Sequence, residues 1–594
     1  MHDNVHRTDN LSVNGLQWVV KESDKNSFKK LEQIKDISNI LKAIISKRKL
    51  YSLRIEQFLN PKLRELTPNP LGLHDMDKAT DILQESILKN HKIGILGDYD
   101  VDGATSSALI FNYLNEIGLS NLEVFIPDRE KDGYGLSKNA VSFFFKKKIS
   151  MIVCLDCGTN DKENVNYALS LGIETIIIDH HEQKKKNNAL ALINPKKNCD
   201  NSKLNYLATV GLVFLFLIAL NSKLKKSNFF SSKIKEPNLK KYLDLVALGT
   251  VCDLVPLKEV NRLFVKKGII EINKKSNKGI KTLLKKLNIK KTVDESDIGF
   301  YLGPCINAPG RIGESSLGFR LLTNKYEKYS SDIANSLLNN NKERKTLENI
   351  ACHQAKNKIS TLKKINNKQN RKFVLVSDRS WHPGIIGIIA SRLTYQYNIP
   401  SIVISSKEAS IKGSIRSIKG INAADIIDFL DKNNILINGG GHAMAAGFTL
   451  KSNCIEKLED LLTSFFSNII ISKQINLEID IAVDLYSVST ELIEKISAIG
   501  PFGQENEEPR IVIRNLKVAY KKVVGKTKKH IFCVLEDTYG KSINAIAFNE
   551  ASSSLGNVLF SEKVFNVAGK LRLYEKKKSK HSTIYYRRYF NFIA

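Results

Sequence analysis

Between residues 92 and 180 the sequence alternates short, continuously apolar runs with stretches of helical periodicity, and this alternation constrains the fold more than any other feature. The apolar runs are residues 93–96, 124–127, 152–155 and 175–178. Strands that are apolar on both faces and separated by helices form a parallel sheet covered on both sides. On such sheets, ligands bind at the carboxyl ends of the strands. We therefore expect a functional site where polar residues directly follow these runs.

The remainder of the chain predicts further folding units. Residues 332–364 are charged and free of Gly and Pro, which is typical of a long connecting helix. A second α/β unit follows, with strands at 373–376 and 401–405 and a glycine cluster near its end. After residue 473, short alternating runs separated by turns predict a small β-barrel. The fold class is thus α/β, and the predicted units are an N-terminal segment packing on the catalytic core (1–64), a catalytic α/β domain (65–330), a connecting helix (331–365), a second α/β domain (366–472) and a barrel (473–594).

Composition narrows the class of protein. Of 594 residues, 42% are apolar and 26% charged, which excludes a disordered chain. The 91 basic residues exceed the 61 acidic ones and give a net charge of +30, so a polyanionic partner is expected. Part of this surplus has another explanation, because Lys- and Asn-rich loops such as 184–188 are typical of an AT-rich genome. The apolar stretch 206–220 is shorter than the roughly 20 residues of a spanning helix, so we predict a buried helix and no membrane association.

The eight cysteines follow no disulfide framework, which predicts a reduced, cytoplasmic protein. Cys154 and Cys157 form a C-x-x-C pair within a strand-like run, with no second pair to complete a zinc site. We interpret them as core residues.

Acidic residues and histidines follow the apolar runs. The sequence GDYDVDG at 97–103 places three carboxylates two residues apart, and such carboxylates repel one another unless a cation balances them. An EF-hand is excluded because position twelve, counting from Asp98, is Leu109 rather than Glu. Carboxylates mixed with imidazoles favour Mn²⁺ or Mg²⁺ over structural Zn²⁺, and their number suits two ions. The candidate residues are Asp98, Asp100, Asp102, Asp156, Asp179, His180, His181 and Asp253.

These residues resemble the DHH phosphoesterase family, and within it the exonucleases specific for single-stranded DNA. The resemblance runs from about residue 64 to near the end of the chain. The catalytic-domain motifs are GDYDVDG (97–103), IPDREKDGYGL (126–136), LDCG (155–158), DHH (179–181), GTVCDLVP (249–256) and INAPGR (306–311). The companion DHHA1 domain is matched by WHPGIIGIIASR (381–392), GSIRS (413–417) and GGGHAMAAG (439–447). PFG (501–503) resembles the segment that leads into the family's OB-like barrel, but acidic residues stand at 505–508 where relatives often carry Gly and Asn.

The resemblance implies a role for each matching residue. Asp100, Asp102, Asp156, His180 and Asp253 would hold two divalent cations, Mn²⁺ preferred or Mg²⁺, with Asp98 as a further ligand or a support. Asp179 would orient the histidines and His181 would contact the scissile phosphate. The residues expected to bind substrate are Arg129, Arg311, His382, Ser414, Arg416, Gly440, Gly441 and His442.

The implied activity is 5′→3′ degradation of single-stranded DNA to mononucleotides in repair and recombination. Basic and aromatic residues near the C-terminus would grip the strand by phosphate contacts and base stacking, namely Lys576, Lys577, Tyr585, Arg587 and Arg588. Expected partners are single-stranded DNA and, from the resemblance, a single-strand-binding protein and a helicase; we expect a monomer.

Three other functions remain open at the level of sequence. One is a DHH-family phosphohydrolase of small substrates (oligoribonucleotide, cyclic dinucleotide or pyrophosphate), which would leave the barrel unexplained. Another is a non-catalytic DNA-binding scaffold, which would not need the complete ligand set. An RNA substrate is the third, because nothing visible in the sequence reads a 2′-hydroxyl.

Overall fold

The structure, a computed structural model, describes most of the chain. The described residues are 11–23, 29, 31, 33–34, 37–48, 54–366, 371–406, 411–451, 454–471, 475–525, 527–561, 564–577 and 584–592. Helices and strands are numbered below in chain order.

The N-terminal segment pairs with a strand close to the other end of the chain. It contains β1 (Leu16–Val20), α1 (Asn39–Ser46), α2 (Ile55–Leu59) and α3 (Leu63–Leu66). Strand β1 runs parallel to residues 475–479, and Leu41, Ile44 and Ile45 of α1 share a hydrophobic core with the barrel. The end of the segment also contacts the catalytic domain, since Nη1 of Arg262 donates to the carbonyl of Phe58 at 2.5 Å, Nζ of Lys266 donates to the carbonyl of Leu59 at 2.8 Å, and Leu63 packs on the catalytic core. The described part of the segment thus contacts both the barrel and the catalytic domain, and the boundary at residue 64 stays a prediction.

The first α/β domain is built on a five-stranded parallel sheet with the order β3-β2-β4-β5-β6. Residues of β4 alternate between two cores, with Val153 facing one and Cys154 the other, so both faces of the sheet are covered by helices. Cys154 and Cys157 are buried in the second core, as the sequence predicts. The elements are α4 (Met76–Leu88), β2 (Ile93–Gly97), α5 (Val101–Glu116), β3 (Leu122–Phe125), α6 (Lys138–Lys146), β4 (Met151–Leu155), α7 (Lys162–Ser170), β5 (Glu174–Ile178) and β6 (Ala191–Ile193).

Helices complete this domain after the sheet. Helix α8 (Thr209–Lys226) covers the predicted apolar stretch and is almost wholly buried. None of the described helices is long and apolar enough to cross a membrane. The other helices are α9 (Leu243–Cys252), α10 (Glu259–Lys274), α11 (Lys278–Lys286), α12 (Glu295–Asp297), α13 (Gly303–Asn307), α14 (Pro309–Ile312) and α15 (Leu317–Thr323), with a π-helical turn at Ile298–Leu302.

A single helix, α16 (Glu327–Asn366), connects the two α/β domains. At 1.5 Å per residue its 40 residues span about 60 Å. The buried ion pair between Arg344 and Glu348 lies within it, at 2.7 Å. Helix α16 packs on both domains and so fixes the distance between them.

The second α/β domain has a mixed five-stranded sheet with the order β10-β11-β9-β8-β7. Its elements are β7 (Val374–Asp378), α17 (Ile386–Tyr397), β8 (Ser401–Ser405), β9 (Ile411–Arg416), α18 (Ala423–Lys432), β10 (Leu436–His442), β11 (Ala445–Leu450) and α19 (Ile455–Ser467). Strands β10 and β11 form an antiparallel hairpin whose tip lies against the first domain.

The C-terminal domain has a six-stranded sheet, of which the five strands β14 to β18 close into a barrel because β14 pairs with both β15 and β17, while β13 pairs with β14 outside this ring. Its elements are β12 (Ile475–Ile479), β13 (Ile481–Val483), α20 (Thr490–Ile499), β14 (Ile511–Val524), β15 (His530–Glu536), β16 (Ser542–Ala547), α21 (Ser554–Leu559), β17 (Phe565–Lys577) and β18 (Ile584–Phe592). The predicted class, two α/β domains joined by a long helix and followed by an OB-like barrel, is confirmed.

Candidate metal centre and substrate pocket

The carboxyl ends of β2, β4 and β5 bring together the acidic residues that follow them. These three strands are adjacent and parallel, and Leu155 stands level with both Gly97 and Ile178. Asp156 has a positive φ of 64°, a conformation that Asp tolerates better than most residues, and the chain turns there directly into the site. The predicted convergence of strand-end carboxylates at one edge of the sheet is what the structure shows.

Two further carboxylates lie at the start of α5. Asp100 caps this helix, with its side chain accepting from the N–H of Gly103 at 3.0 Å. Asp102, in the first turn, accepts hydrogen bonds from the backbone N–H groups of Thr209 (2.7 Å) and Val210 (2.9 Å) in α8. The hydroxyl of Thr209 donates to Oδ1 of Asp156 at 2.9 Å. Thr209 is therefore a supporting residue that the sequence analysis did not single out.

Asp253 reaches the same site from a helix rather than from a strand. The apolar run before Asp253 predicts a strand end, whereas the structure places this residue at the C-terminal end of α9. Nε2 of His180 lies 3.5 Å from Oδ2 of Asp253 and 3.5 Å from Oδ1 of Asp156. The apolar run before Asp253 was misassigned because a buried helix and a buried strand have the same continuous hydrophobicity over a few residues.

The donor atoms form three overlapping groups, in each of which they lie within 4.8 Å of one another. Two groups share Asp156, two share His180, and hard oxygen predominates over nitrogen. Oδ1 of Asp98 and Oδ2 of Asp253 are buried with no hydrogen-bond partner among the described residues. Orphaned carboxylate oxygens beside imidazoles are the donor set that Mn²⁺ and Mg²⁺ accept. The groups are Asp98 with Asp100 and Asp156; Asp102 with His180 and Asp253; and Asp156 with His180 and His181.

The shifted pKa values of the site residues favour binding of a cation. Burial, followed by repulsion from neighbouring carboxylates, raises the pKa of Asp98, Asp156 and Asp253 well above the ordinary range. The same two causes raise the pKa of Asp102 to about 7. Burial and the nearby His181 lower the pKa of His180 to about 3, so this imidazole is neutral and able to act as a ligand.

His181 has different partners from His180. Its Nδ1 lies 2.7 Å from Oδ1 of Asp179, whose carboxylate also accepts from the backbone N–H of His180 and His181. Burial opposes a charged imidazole, but the hydrogen bond and charge of Asp179 raise the pKa of His181 above its usual value. Tyr134 also reaches this histidine: its hydroxyl donates to the carbonyl of Asp156 at 2.9 Å and lies 3.0 Å from Nδ1 of His181. Tyr134 stands inside the motif at 126–136 but was not named as a site residue.

Three arginines lie near one another and near the acidic cluster, since Arg129 interacts electrostatically with Asp98 and with both Arg311 and Arg416. Burial and the charges of nearby arginines, Arg129 first, lower the pKa of Arg311 to about 10, and burial and Arg129 also lower that of Arg416. Nη1 of Arg416 donates to the hydroxyl of Ser414 at 3.0 Å. Arg311 and Arg416 are half-buried and Arg129 is exposed, and clustered arginines of this kind are suited to bind an anion such as phosphate.

The second α/β domain closes on these arginines. Nη1 of Arg311 donates to the carbonyl of Gly384 at 3.2 Å, and a Cβ on Gly384 would lie only 2.1 Å from the carbonyl oxygen of Arg311. Nε2 of His382 lies 3.2 Å from Oε1 of Glu130. Arg311 and His382 thus stand where the two domains meet.

The glycine hairpin brings a third histidine to the site. Gly440 and Gly441 lie on β10, opposite Gly447 and Ala446 of β11. His442, at the end of β10, stacks on His181 with 6.2 Å between ring centroids and 25° between planes. The predicted barrel residues lie on β17 and β18, but the side chains of Lys576, Lys577, Tyr585, Arg587 and Arg588 fall outside the described part of the structure.

Family models match the three domains in this order. The DHH family N-terminal domain matches residues 92–250, the DHHA1 domain residues 370–468, and the RecJ OB domain residues 479–586. The sheet, its strand-end carboxylates and the DHH triplet define a phosphoesterase of the DHH class.

Similarity to individual proteins identifies the family within this class. The single-stranded-DNA-specific exonuclease RecJ of Escherichia coli is 32% identical over 517 residues, which are 84% of this chain and 88% of the relative. RecJ of Haemophilus influenzae is 30% identical over 81% of this chain and 85% of its own. RecJ from Thermus thermophilus in complex with Mn²⁺ shares the fold, with a TM-score of 0.74, 22% identity, and coverage of 97% of this chain and 78% of that one. The chain belongs to the RecJ family and is an exonuclease, a hydrolase of phosphodiester bonds.

Proposed function

We propose that this enzyme degrades single-stranded DNA from the 5′ end to mononucleotides with two divalent cations, Mn²⁺ preferred or Mg²⁺, in DNA repair and recombination. The observation that carries the proposal is the proximity of an acidic, histidine-containing cluster to a group of arginines, within one chain of the RecJ family. Such an arrangement holds a nucleic-acid end at the arginines and a phosphodiester at the acidic cluster.

Asp100, Asp102, Asp156, His180 and Asp253 would hold the cations, with Asp98 completing the set. When bound, divalent cations provide a Lewis acid for the phosphate and lower the pKa of water to give a nucleophile. The carboxylates keep a fixed arrangement because Asp100 and Asp102 also accept backbone hydrogen bonds. His180 stays neutral at physiological pH and presents Nε2 to the site.

His181 would act on the scissile phosphate as a hydrogen-bond donor. Asp179 holds it through Nδ1, which leaves Nε2 for the substrate, and the raised pKa favours the cationic form. Tyr134 and His442 restrict the orientation of the ring from two sides. Asp179 is a positioning residue in this scheme.

The arginine pocket would set the polarity of digestion. Arg129, Arg311 and Arg416, together with Ser414 and His382, would bind the 5′-terminal phosphate, so that the first diester bond lies at the acidic cluster. The glycines 440 and 441 would allow the strand backbone to approach β10. The C-terminal barrel, with Lys576, Lys577, Tyr585, Arg587 and Arg588, would grip the strand beyond the site.

The proposal is tested by digestion of a long single strand labelled at one end or the other, with Mn²⁺, and with duplex DNA and RNA of the same sequence alongside. We expect early release of labelled mononucleotide from the 5′ end alone. Asp156→Ala should abolish it, because Asp156 belongs to two of the three ligand groups. Release from the 3′ end, or equal digestion of RNA, would contradict the proposed polarity or substrate.

The small-substrate alternative makes a different prediction. If long DNA stays intact while pyrophosphate, a cyclic dinucleotide or di- to tetranucleotides are cleaved, the chain is a phosphohydrolase of small substrates. The match of residues 479–586 to the RecJ OB domain favours the long substrate. A scaffold without catalysis would show strand binding and no release of nucleotide, but the ligand set is complete.

The role of the arginines is tested by comparing substrates that carry a 5′-phosphate with substrates that carry a 5′-hydroxyl. Arg129→Ala should reduce the preference for a 5′-phosphate over a 5′-hydroxyl by about 10-fold or more, the effect of one charge-assisted hydrogen bond. Lys131→Ala, on the same loop and exposed, is the matched control. An unchanged preference in Arg129→Ala would remove this residue from the pocket.

The partners rest on the resemblance, and the location rests on the cysteines, which follow no disulfide framework. We propose a cytoplasmic monomer that works with a single-strand-binding protein and a helicase. The molar mass measured by light scattering during gel filtration tests whether the protein is a monomer. Pull-down with purified single-strand-binding protein and helicase tests the partners.

A further inference from the structure

The loop that carries Asp253 is held by a loop of the barrel domain. Residues 253–258 connect α9 to α10 on the catalytic domain, and residues 500–508, here called the acidic loop, lead into β14 of the barrel. The backbone N–H of Leu257 donates to the carbonyl of Gln504 at 2.8 Å. Next to it, Nζ of Lys258 lies 3.5 Å from Oε2 of Glu505. Two successive residues after the metal-binding aspartate thus contact the barrel domain.

The packing at this point leaves no free space. Leu257 is 3% exposed, and a Cβ on Gly503 would lie 2.7 Å from Cδ1 of Leu257. Gly503 does not have a positive φ, so glycine is needed here for the close approach to Leu257 rather than for backbone conformation. A small displacement of the acidic loop therefore moves Leu257.

The acidic loop is fixed on its other side by the barrel and the N-terminal segment. Nδ2 of Asn506 donates to the carbonyls of Ile499 and Pro501, and Oδ1 of Asn506 accepts from Arg48 at 2.8 Å. Glu508 forms a two-pronged ion pair with Arg572 at 2.6 and 2.7 Å. The loop is rigid enough to act as a support.

Asp253 needs such a support more than Asp102 and Asp156 do. Asp102 is fixed by two backbone N–H groups, and Asp156 by the hydroxyl of Thr209. Oδ2 of Asp253 has no hydrogen-bond partner among the described residues. Its position is set by the backbone at the end of α9 and by the loop that follows.

We infer that the acidic loop of the barrel positions Asp253, so that the barrel domain controls cation affinity at the site formed by Asp102, His180 and Asp253. The inference rests on the proposed metal centre and assigns a task to the acidic residues at 505–508, which the resemblance leaves unexplained. Gly503, Leu257 and the Lys258–Glu505 pair are positioning residues.

The test measures Mn²⁺ binding to the full chain by the electron paramagnetic resonance of free Mn²⁺, without DNA. Gly503→Ala forces Leu257 aside and should weaken the Asp253-dependent site about tenfold, as loss of a supporting contact does in metal sites. Gly503→Ala combined with Leu257→Ala should restore much of the affinity, because the shortened side chain removes the clash. Gly72→Ala, where an added Cβ meets open space, is the matched control.

Two further measurements separate positioning from folding and from substrate binding. Thermal unfolding in EDTA should show one cooperative transition for Gly503→Ala as for the parent chain, although the clash with Leu257 lowers its midpoint, and single-strand binding in EDTA should be unchanged. If Gly503→Ala does not fold, exchanging the charges of the Lys258–Glu505 pair tests the inference instead. Lys258→Glu should weaken Mn²⁺ binding, and adding Glu505→Lys should restore it.

The outcomes distinguish the inference from the proposed function. Asp253→Asn tests whether Asp253 binds Mn²⁺ at all. If this variant binds Mn²⁺ as the parent chain does, or if the parent chain binds none, the proposed metal centre is contradicted and the inference with it. If Asp253→Asn weakens binding while folded Gly503→Ala and Lys258→Glu do not, only the inference is overturned.

Discussion

The side chain of Asp102 caps the helix that begins at Thr209. Its Oδ2 accepts the backbone N–H of Thr209 at 2.7 Å, and its Oδ1 accepts the next N–H. The residue before the helix, Ala208, has no side chain able to form this bond. One candidate metal ligand thus satisfies two of the four free N–H groups at the start of a buried 18-residue helix.

Asp102→Ala should therefore lower stability as well as activity. Without metal, loss of the cap should reduce the free energy of unfolding by about 1–2 kcal/mol, since two buried N–H groups lose their acceptor. Asp102→Asn, which keeps an acceptor oxygen, is the control and should lose less. Denaturant unfolding in EDTA measures both, and equal stability of Asp102→Ala and the parent chain would contradict the capping role.

Asp253→Asn, in contrast to Asp102→Ala, should make the metal-free protein more stable. In the metal-free protein its carboxylate has a raised pKa because of burial and the neighbouring Asp102 and Asp100, and one oxygen has no described partner. Removal of this charge should raise the free energy of unfolding in EDTA by about 1 kcal/mol. Added Mn²⁺ should then raise the melting temperature less than in the parent chain. A loss of stability in EDTA would show that the Asp253 carboxylate is satisfied.

Cation binding should release protons near neutral pH. The pKa of Asp102 is raised to about 7, so between about pH 4 and 7 the folded, metal-free chain holds a proton that the unfolded chain has lost. This group therefore makes the metal-free protein less stable as the pH rises through that window, whereas Mn²⁺ affinity rises, because binding requires the carboxylate.

Titration calorimetry with Mn²⁺ at pH 6.5, in two buffers of different ionisation enthalpy, measures the proton release. The heats should differ between the buffers, and the difference should shrink in Asp102→Asn. Identical heats in the parent chain would mean that the site is fully ionised without metal.

Tyr134→Phe should lower the turnover rate with little effect on folding. The hydroxyl links the carbonyl of Asp156 to the imidazole of His181, and a hydrogen bond of this kind contributes about 1 kcal/mol, or roughly a fivefold change in rate. Tyr167→Phe, a tyrosine of the same domain on α7, is the control. Steady-state kinetics on single-stranded DNA should show a change in kcat rather than KM; equal kcat values would make Tyr134 only a packing residue.

Much of the site follows from local sequence. Asp98, Asp156 and Asp179 were predicted to converge because each follows an apolar strand of a parallel sheet, and that geometry is regular. Asp253 was predicted at the site but on the wrong element, since continuous burial hides the difference between helix and strand over ten residues. Tyr134 and Thr209 carry no pattern of their own, because their role depends on a hydroxyl reaching across from another element.

The N-terminal segment could not be placed from the sequence. Its strand β1 has ordinary alternation, and nothing local indicates that the partner is β12 rather than an edge of the catalytic sheet. The acidic residues of the loop at 500–508 were likewise visible but unexplained, since Glu505 and Glu508 find their partners in Lys258 and Arg572, far away along the chain.

The pairing of β1 with β12 also sets an order of events during synthesis. Roughly 460 residues separate Leu16 from its partner Ile475. At ribosomal rates of about 5–20 residues per second, β1 waits on the order of 20 to 90 s before β12 exists. Both α/β domains can fold in that interval, while β1 remains an unpaired strand edge. Because β1 and β12 form a two-stranded sheet of their own, the first strand made finds its partner only after both α/β domains have been synthesised, and the strands of the barrel follow later still.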